Sequence, residues 1–148
     1  MRGNKILIIN GPNINCLKFR EDIYPNEFSY NEFINLLKKE DNDLEFYQSN
    51  HEGEIIDKIQ SLINDNRYCG LIINPGGYTH YSISILDALY LINDITKVEV
   101  HFSDITKRED YRNYSITRDG VDKVFMGEGI NSYIKAIKYI RNQGENHE

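Results

Sequence analysis

The stretch Leu71-Ile72-Ile73-Asn74-Pro75-Gly76-Gly77-Tyr78-Thr79-His80 decides the reading of the fold. An apolar run rich in β-branched residues ends in an amide and then in Pro and Gly, which is the pattern of a strand closed by a turn. Comparable runs stand at residues 6–10, 44–48, 97–102 and 123–126. Between them lie segments of helical period, over residues 30–39, 54–64, 82–92, 107–113 and 130–141. Ser29 stands before the first helical segment with Glu32 three residues on, the spacing of a capping box.

Strands that alternate with helices predict a parallel sheet covered on both faces. Right-handed crossovers then make the expected topology a doubly wound, flavodoxin-like α/β fold, with five parallel strands and helices on both faces. A length of 148 residues is one ordinary domain's worth, and no linker, repeat or low-complexity tract interrupts the pattern. Residues 1–148 are therefore expected to form a single domain, frayed at residues 143–148. The segment 82–92 is unusually apolar, with Ile83, Ile85, Leu86, Ala88, Leu89, Tyr90, Leu91 and Ile92. Surface helices are amphipathic, so this one is expected to meet a second subunit; a central helix covered within the chain is the alternative.

Composition narrows the function classes. Twenty-three acidic residues against 17 basic ones give a net charge of −6, which argues against nucleic acid or an anionic membrane as partner. The first apolar run is too short for a signal peptide or a membrane span, and a cytoplasmic location is expected. Cys16 and Cys69 have no CxxC or Cys/His ligand spacing and read as free thiols. The four histidines, His51, His80, His101 and His147, fall in no metal-ligand pattern, so no metal is expected. No GxGxxG follows the first strand, Walker A and GxSxG are missing, and Gly127-Glu128-Gly129 is only an isolated Gly pair. No cofactor is expected.

In doubly wound sheets ligands bind beyond the carboxyl ends of the strands, where the strand order reverses. Three such ends carry more polar chemistry than a turn needs: Asn10-Gly11-Pro12-Asn13, Asn74 to His80, and Glu99-Val100-His101-Phe102-Ser103. Glu99 and His101 are two apart on one strand, so both project to one side; a carboxylate there can hold one imidazole nitrogen and leave the other for a substrate. For an isolated pair the simpler reading of that spacing is a structurally satisfied histidine near the sheet end. Arg108 and Arg112, four apart on an expected short helix, would share a face, either toward a ligand or toward solvent. Arg20 and Tyr24 lie in a long connection, residues 18–28, of the kind that forms lids. These groups alone leave open an enzyme, a nucleotide- or flavin-binding protein of the same fold, and an oligomer without turnover.

Taken in order and spacing, the stretches Asn10 to Asn15, Arg20-Glu21, Gln48 to Glu54, Asn74 to His80, Glu99 to Ser103 and Arg108 to Arg112 resemble the type II 3-dehydroquinate dehydratases. The resemblance implies trans elimination of water from 3-dehydroquinate to give 3-dehydroshikimate, without metal or cofactor, in a dodecamer built of trimers. It implies Tyr24 as the base that takes the C2 proton and Arg20 as its partner on the lid. Asn13 would hold the water that stabilises the enolate, and His101, oriented by Glu99, would protonate the leaving hydroxyl. Asn74, His80, Arg112 and the backbone at Phe102 and Ser103 would bind the substrate's carboxylate and hydroxyls. Arg108 would add positive charge near the base, and Asp87 would reach into a neighbouring subunit's site.

A tyrosine ordinarily ionises near about pH 10, so serving as a base near neutrality takes roughly 4 kcal/mol of preferential stabilisation of its phenolate. Two cationic neighbours, Arg20 and Arg108, are of the right size to supply it. Tyr30 is the next tyrosine in line for that role.

Overall fold

Five strands form one all-parallel sheet in the order β2-β1-β3-β4-β5. They are β1 (Lys5–Asn10), β2 (Leu44–Gln48), β3 (Tyr68–Asn74), β4 (Thr96–His101) and β5 (Lys123–Met126). The computed structural model describes residues 2–20 and 28–146. Among these residues four α-helices cover the sheet: α1 (Tyr30–Glu40), α2 (Glu52–Gln60), α3 (Ile83–Tyr90) and α4 (Ile130–Asn146). This is the flavodoxin-like order, and its reversal lies between β1 and β3.

Alternation along the strands divides the core into two layers. Ile6 and Ile8 of β1 pack with Ile72, Val98 and Val100 under Phe33 and Leu37 of α1 and Tyr133, Ala136 and Ile137 of α4. Leu7 and Ile9 pack with Leu71 and Ile73 under Ile55 and Ile59 of α2 and Ile85, Ala88 and Leu89 of α3. Apolar residues on both faces of the inner strands explain why these runs show no half-buried alternation.

Ser29 caps α1, its hydroxyl accepting the Glu32 N–H at 3.2 Å; the Glu32 side chain bonds the same hydroxyl rather than the backbone N–H of a full capping box. The second helix ends at Gln60 rather than near Asn64, because i→i+3 bonds from Leu62 and Ile63 tighten the chain and Asn64 turns left-handed at φ 60°. The final helix continues to Asn146, five residues past the expected end at Arg141, so the tail is helical over much of the stretch read as frayed. No α-helix forms over residues 107–113. Two short 3-10 turns, Ile105–Lys107 and Asp110–Arg112, stand there instead, with Arg108 extended between them at ψ 175°. Asp104 caps the first turn through the Thr106 N–H at 3.0 Å. Arg108 and Arg112 therefore share no helix face.

The α3 segment is not a covered central helix. Ile83, Tyr90 and Leu91 are 61%, 51% and 53% exposed on the single chain. No helix of the described residues is long and apolar enough to cross a membrane.

The ends of β1, β2 and β3 are level: Asn10 stands opposite both Gln48 and Asn74. Beyond them the loops after β1 and β3 meet backbone to backbone. The Gly11 N–H donates to the Asn74 carbonyl at 2.8 Å, and a Cβ on Gly11 would lie 2.5 Å from the Pro75 oxygen. Gly11→Ala should therefore force these loops apart and destabilise the protein by about 1–3 kcal/mol. The urea midpoint checks this, and an unchanged midpoint would show that the loops yield freely.

Candidate active site

The loops beyond β1, β3 and β4 enclose a cavity of about 560 Å³. Asn13, Arg20, Asn74, His80, His101, Phe102, Ser103, Arg108 and Arg112 line it, together with Glu109. The fold thus gathers nine of the candidate residues, including Arg108 from the extended link between the two 3-10 turns and Arg112 from the second of them. Glu99 stands behind His101, fully buried. Asp87 is exposed on α3 and does not line the cavity of its own chain. Tyr24 lies outside the described residues. A larger hollow of about 850 Å³ at the other end of the sheet collects none of the candidates. Its carboxylates Asp41, Asp94 and Asp43 are paired with Arg141, Arg2 and Lys5.

His101 and Glu99 form the pair that their spacing implies, with Nε2 2.8 Å from the carboxylate. Glu99 also accepts from Ser115 Oγ at 2.8 Å and from Thr117 Oγ1. Thr79 Oγ1, 2.7 Å from each of those hydroxyls, supplies the remaining proton of the cluster. Held below its ordinary value by these donors, Glu99 stands as a carboxylate that accepts all three bonds. Nε2 of His101 must then carry a proton, and Nδ1 is left for a ligand. His80 is oriented similarly: Nδ1 donates to the Tyr114 carbonyl at 2.7 Å, leaving Nε2.

A second buried chain positions Asn74. Its Oδ1 accepts the Gly76 N–H at 3.1 Å and its Nδ2 donates to Tyr133 Oη at 2.9 Å. Tyr133 in turn donates to Asn10 Oδ1 at 2.6 Å, and Asn10 Nδ2 donates to Tyr30 Oη at 3.1 Å. Each donor direction follows from the next, so the Asn74 amide cannot flip without stranding a buried group. Burial pushes the Tyr30 hydroxyl above the ordinary tyrosine value and the Asn10 bond offsets this only in part, the opposite of what a base needs.

Ser115, Thr117, Thr79, Tyr133 and Asn10 were not among the candidates. Ser115 and Thr117 do carry a local signal, two hydroxyls two residues apart. Nothing in the sequence connects them to a carboxylate 16 and 18 residues away.

The family model for class II dehydroquinase matches residues 4–141. The chain belongs to the class II dehydroquinase family. It is 50% identical over 143 residues to a 3-dehydroquinate dehydratase of Clostridium botulinum, covering 94% of this chain and 95% of that one. A 3-dehydroquinate dehydratase of Thermotoga petrophila is 42% identical over 146 residues, covering 95% of this chain and 97% of its own. Among solved structures, a type II dehydroquinase from Butyrivibrio crossotus superposes with a TM-score of 0.88 at 44% identity, over 94% of this chain and 98% of that one.

Within this family member the cavity is cationic although the chain is acidic overall. Among the described residues that line it, Arg20, Arg108 and Arg112 stand with one carboxylate, Glu109, which pairs with Arg112. That ion pair holds the Glu109 carboxyl below the usual carboxylate range. Among the described residues no group of three or more His, Cys, Asp or Glu could hold a metal ion.

Burial alone would push the Glu99 carboxyl up, but the donors His101, Thr117 and Ser115 outweigh it and hold the group below its ordinary value. Its contribution to stability is therefore complete above the unfolded value, about pH 4.3, and is lost as pH falls through the depressed folded value. Glu99→Gln should make the acid limb of stability shallower. Urea melts between about pH 7 and pH 3 check this, and an equally steep limb would assign the effect to other carboxylates.

Proposed function

We propose that the chain catalyses trans elimination of water from 3-dehydroquinate to give 3-dehydroshikimate, through an enolate and with no metal or cofactor. The observation that carries this reading is an imidazole held by a buried carboxylate at the wall of a cavity bearing three arginines. The arginines suit an anionic substrate, and the held imidazole suits protonation of a leaving hydroxyl. The names of the relatives agree with that pairing of features.

In this reading Tyr24 removes the C2 proton, with Arg20 and Arg108 favouring its phenolate. The electron pair of the broken C–H bond moves to the carbonyl oxygen, and a water held by Asn13 meets the enolate charge. The enolate then collapses, a proton carried on His101 Nδ1, the nitrogen not held by Glu99, passes to the departing β-hydroxyl, and water leaves; the proton taken by Tyr24 then replaces it. Asn74, His80, Arg112 and the backbone at Phe102 and Ser103 bind the carboxylate and hydroxyls. The Asn74 amide, locked through Tyr133, is suited to offering an N–H to a substrate oxygen.

The protein in this reading is cytoplasmic and assembles as a dodecamer of trimers. The exposed Ile83, Tyr90 and Leu91 support burial of α3 between subunits. Asp87 on the same helix would then reach a neighbour's cavity.

Purified protein mixed with 3-dehydroquinate in the presence of a chelator should generate the absorbance of a conjugated enone. Loss of turnover on chelation, restored by a divalent ion, would contradict the metal-free mechanism. Tyr24→Phe and His101→Ala should each lower kcat by roughly a hundredfold or more while binding persists, and Glu99→Gln should do less harm. A Tyr24→Phe enzyme with normal kcat would remove Tyr24 as the base. Light scattering that returned a monomer mass would remove the assembly.

A further inference from the structure

The stretch Gln48-Ser49-Asn50-His51-Glu52-Gly53-Glu54 has so far no part in the chemistry, yet it ends β2 level with Asn10 and leads into α2. We propose that Asn50 is the positioning residue of Asn13, and that it acts through its side-chain carbonyl alone. This rests on the dehydratase reading, in which Asn13 holds the water that meets the enolate.

Asn13 sits on the cavity wall in the left-handed region, at φ 72° and ψ −5°. Its carbonyl accepts the Cys16 N–H at 2.9 Å, tying it to the following 3-10 turn. Its own N–H points the other way and donates to Asn50 Oδ1 at 3.0 Å. That oxygen also accepts Gln48 Nε2 at 3.1 Å, and the same nitrogen donates to the Gly11 carbonyl at 3.1 Å. The Gln48 amide, whose nitrogen also lies 3.4 Å from Asn15 Oδ1, thus joins Asn50 to the backbone two residues before Asn13.

Asn50 is itself held on both sides. The Ser49 N–H donates to the Asn10 carbonyl at 3.0 Å, and Ser49 Oγ accepts the His51 N–H at 2.9 Å while donating to Glu54 at 2.7 Å. The backbone carbonyl of Asn50 accepts Tyr78 Oη at 3.0 Å, from the turn that ends in His80. One residue therefore fixes the loop after β1 against the loop after β3. Both side-chain bonds fall on Oδ1, so a carboxylate at this position can accept them equally well and an alkyl group cannot. A lost brace lets the peptide before Asn13 rotate and displaces the side chain that orients the water, and displacements of that order are costly in catalysis.

The test compares Asn50→Ala and Asn50→Asp with the wild-type assembly. Asn50→Ala should lower kcat roughly tenfold or more, with a much smaller change in KM. Hydrogen exchange of the backbone amide of Asn13, followed by mass spectrometry of peptides spanning it, should rise by about tenfold. Asn50→Asp should restore kcat to within about threefold of wild type and restore the protection, its added charge being felt in KM. An Asn50→Ala enzyme with unchanged kcat and unchanged exchange would overturn the proposal. So would an Asn50→Asp enzyme as slow as Asn50→Ala, since the carbonyl would then not be the acting group. A wild-type protein that forms no enone would sink the dehydratase reading instead. In that case the Asn13 amide decides the brace: protection lost in Asn50→Ala and kept in Asn50→Asp sustains it, and equal exchange in all three ends it.

Discussion

A single buried anion organises the working end of this molecule. Glu99 has no solvent exposure, and a lone carboxylate there would carry a large desolvation cost. His101, Ser115 and Thr117 offset that cost by donating to it from the same strand and from the loop before β5. Thr79 closes the cluster from the turn after β3. Three separate segments are thereby fixed around one charge, and the imidazole at its edge has a defined tautomer and direction.

The neighbouring amides follow the same physical rule. Asn10, Asn74 and Tyr133 are buried, so every donor among them needs an acceptor and the chain of bonds has one consistent direction. Asn13, by contrast, lies on the exposed rim and owes its backbone conformation to a bond from outside its own loop. The site thus combines groups locked by burial with one group locked by a brace. Among its described lining residues three arginines stand with one carboxylate, a balance opposite to that of the whole chain.

How much of this was legible in the sequence varied with the range of the interaction. All five strands were readable to within three residues, because apolar runs closed by Gly, Pro or Asn are local patterns. The Glu99–His101 pair was readable because two residues apart on a strand means one side of the sheet. The short helix expected over residues 107–113 failed because Asp104 and the extended Arg108 break that segment into two turns. A four-residue spacing carries no face where the chain is not α-helical.

The sequence by itself determined the alternation of strands and helices, the family and the chemical groups at the strand ends, since each is written in local pattern or in motifs kept in order. Only the tertiary structure decided which of those groups share a cavity, which way Asn74 and His101 are turned, and that Ser115, Thr117 and Tyr133 serve them. The physical reason is that donor direction and burial arise between segments: Tyr133 meets Asn10 across 123 positions of chain, and no local pattern encodes that contact.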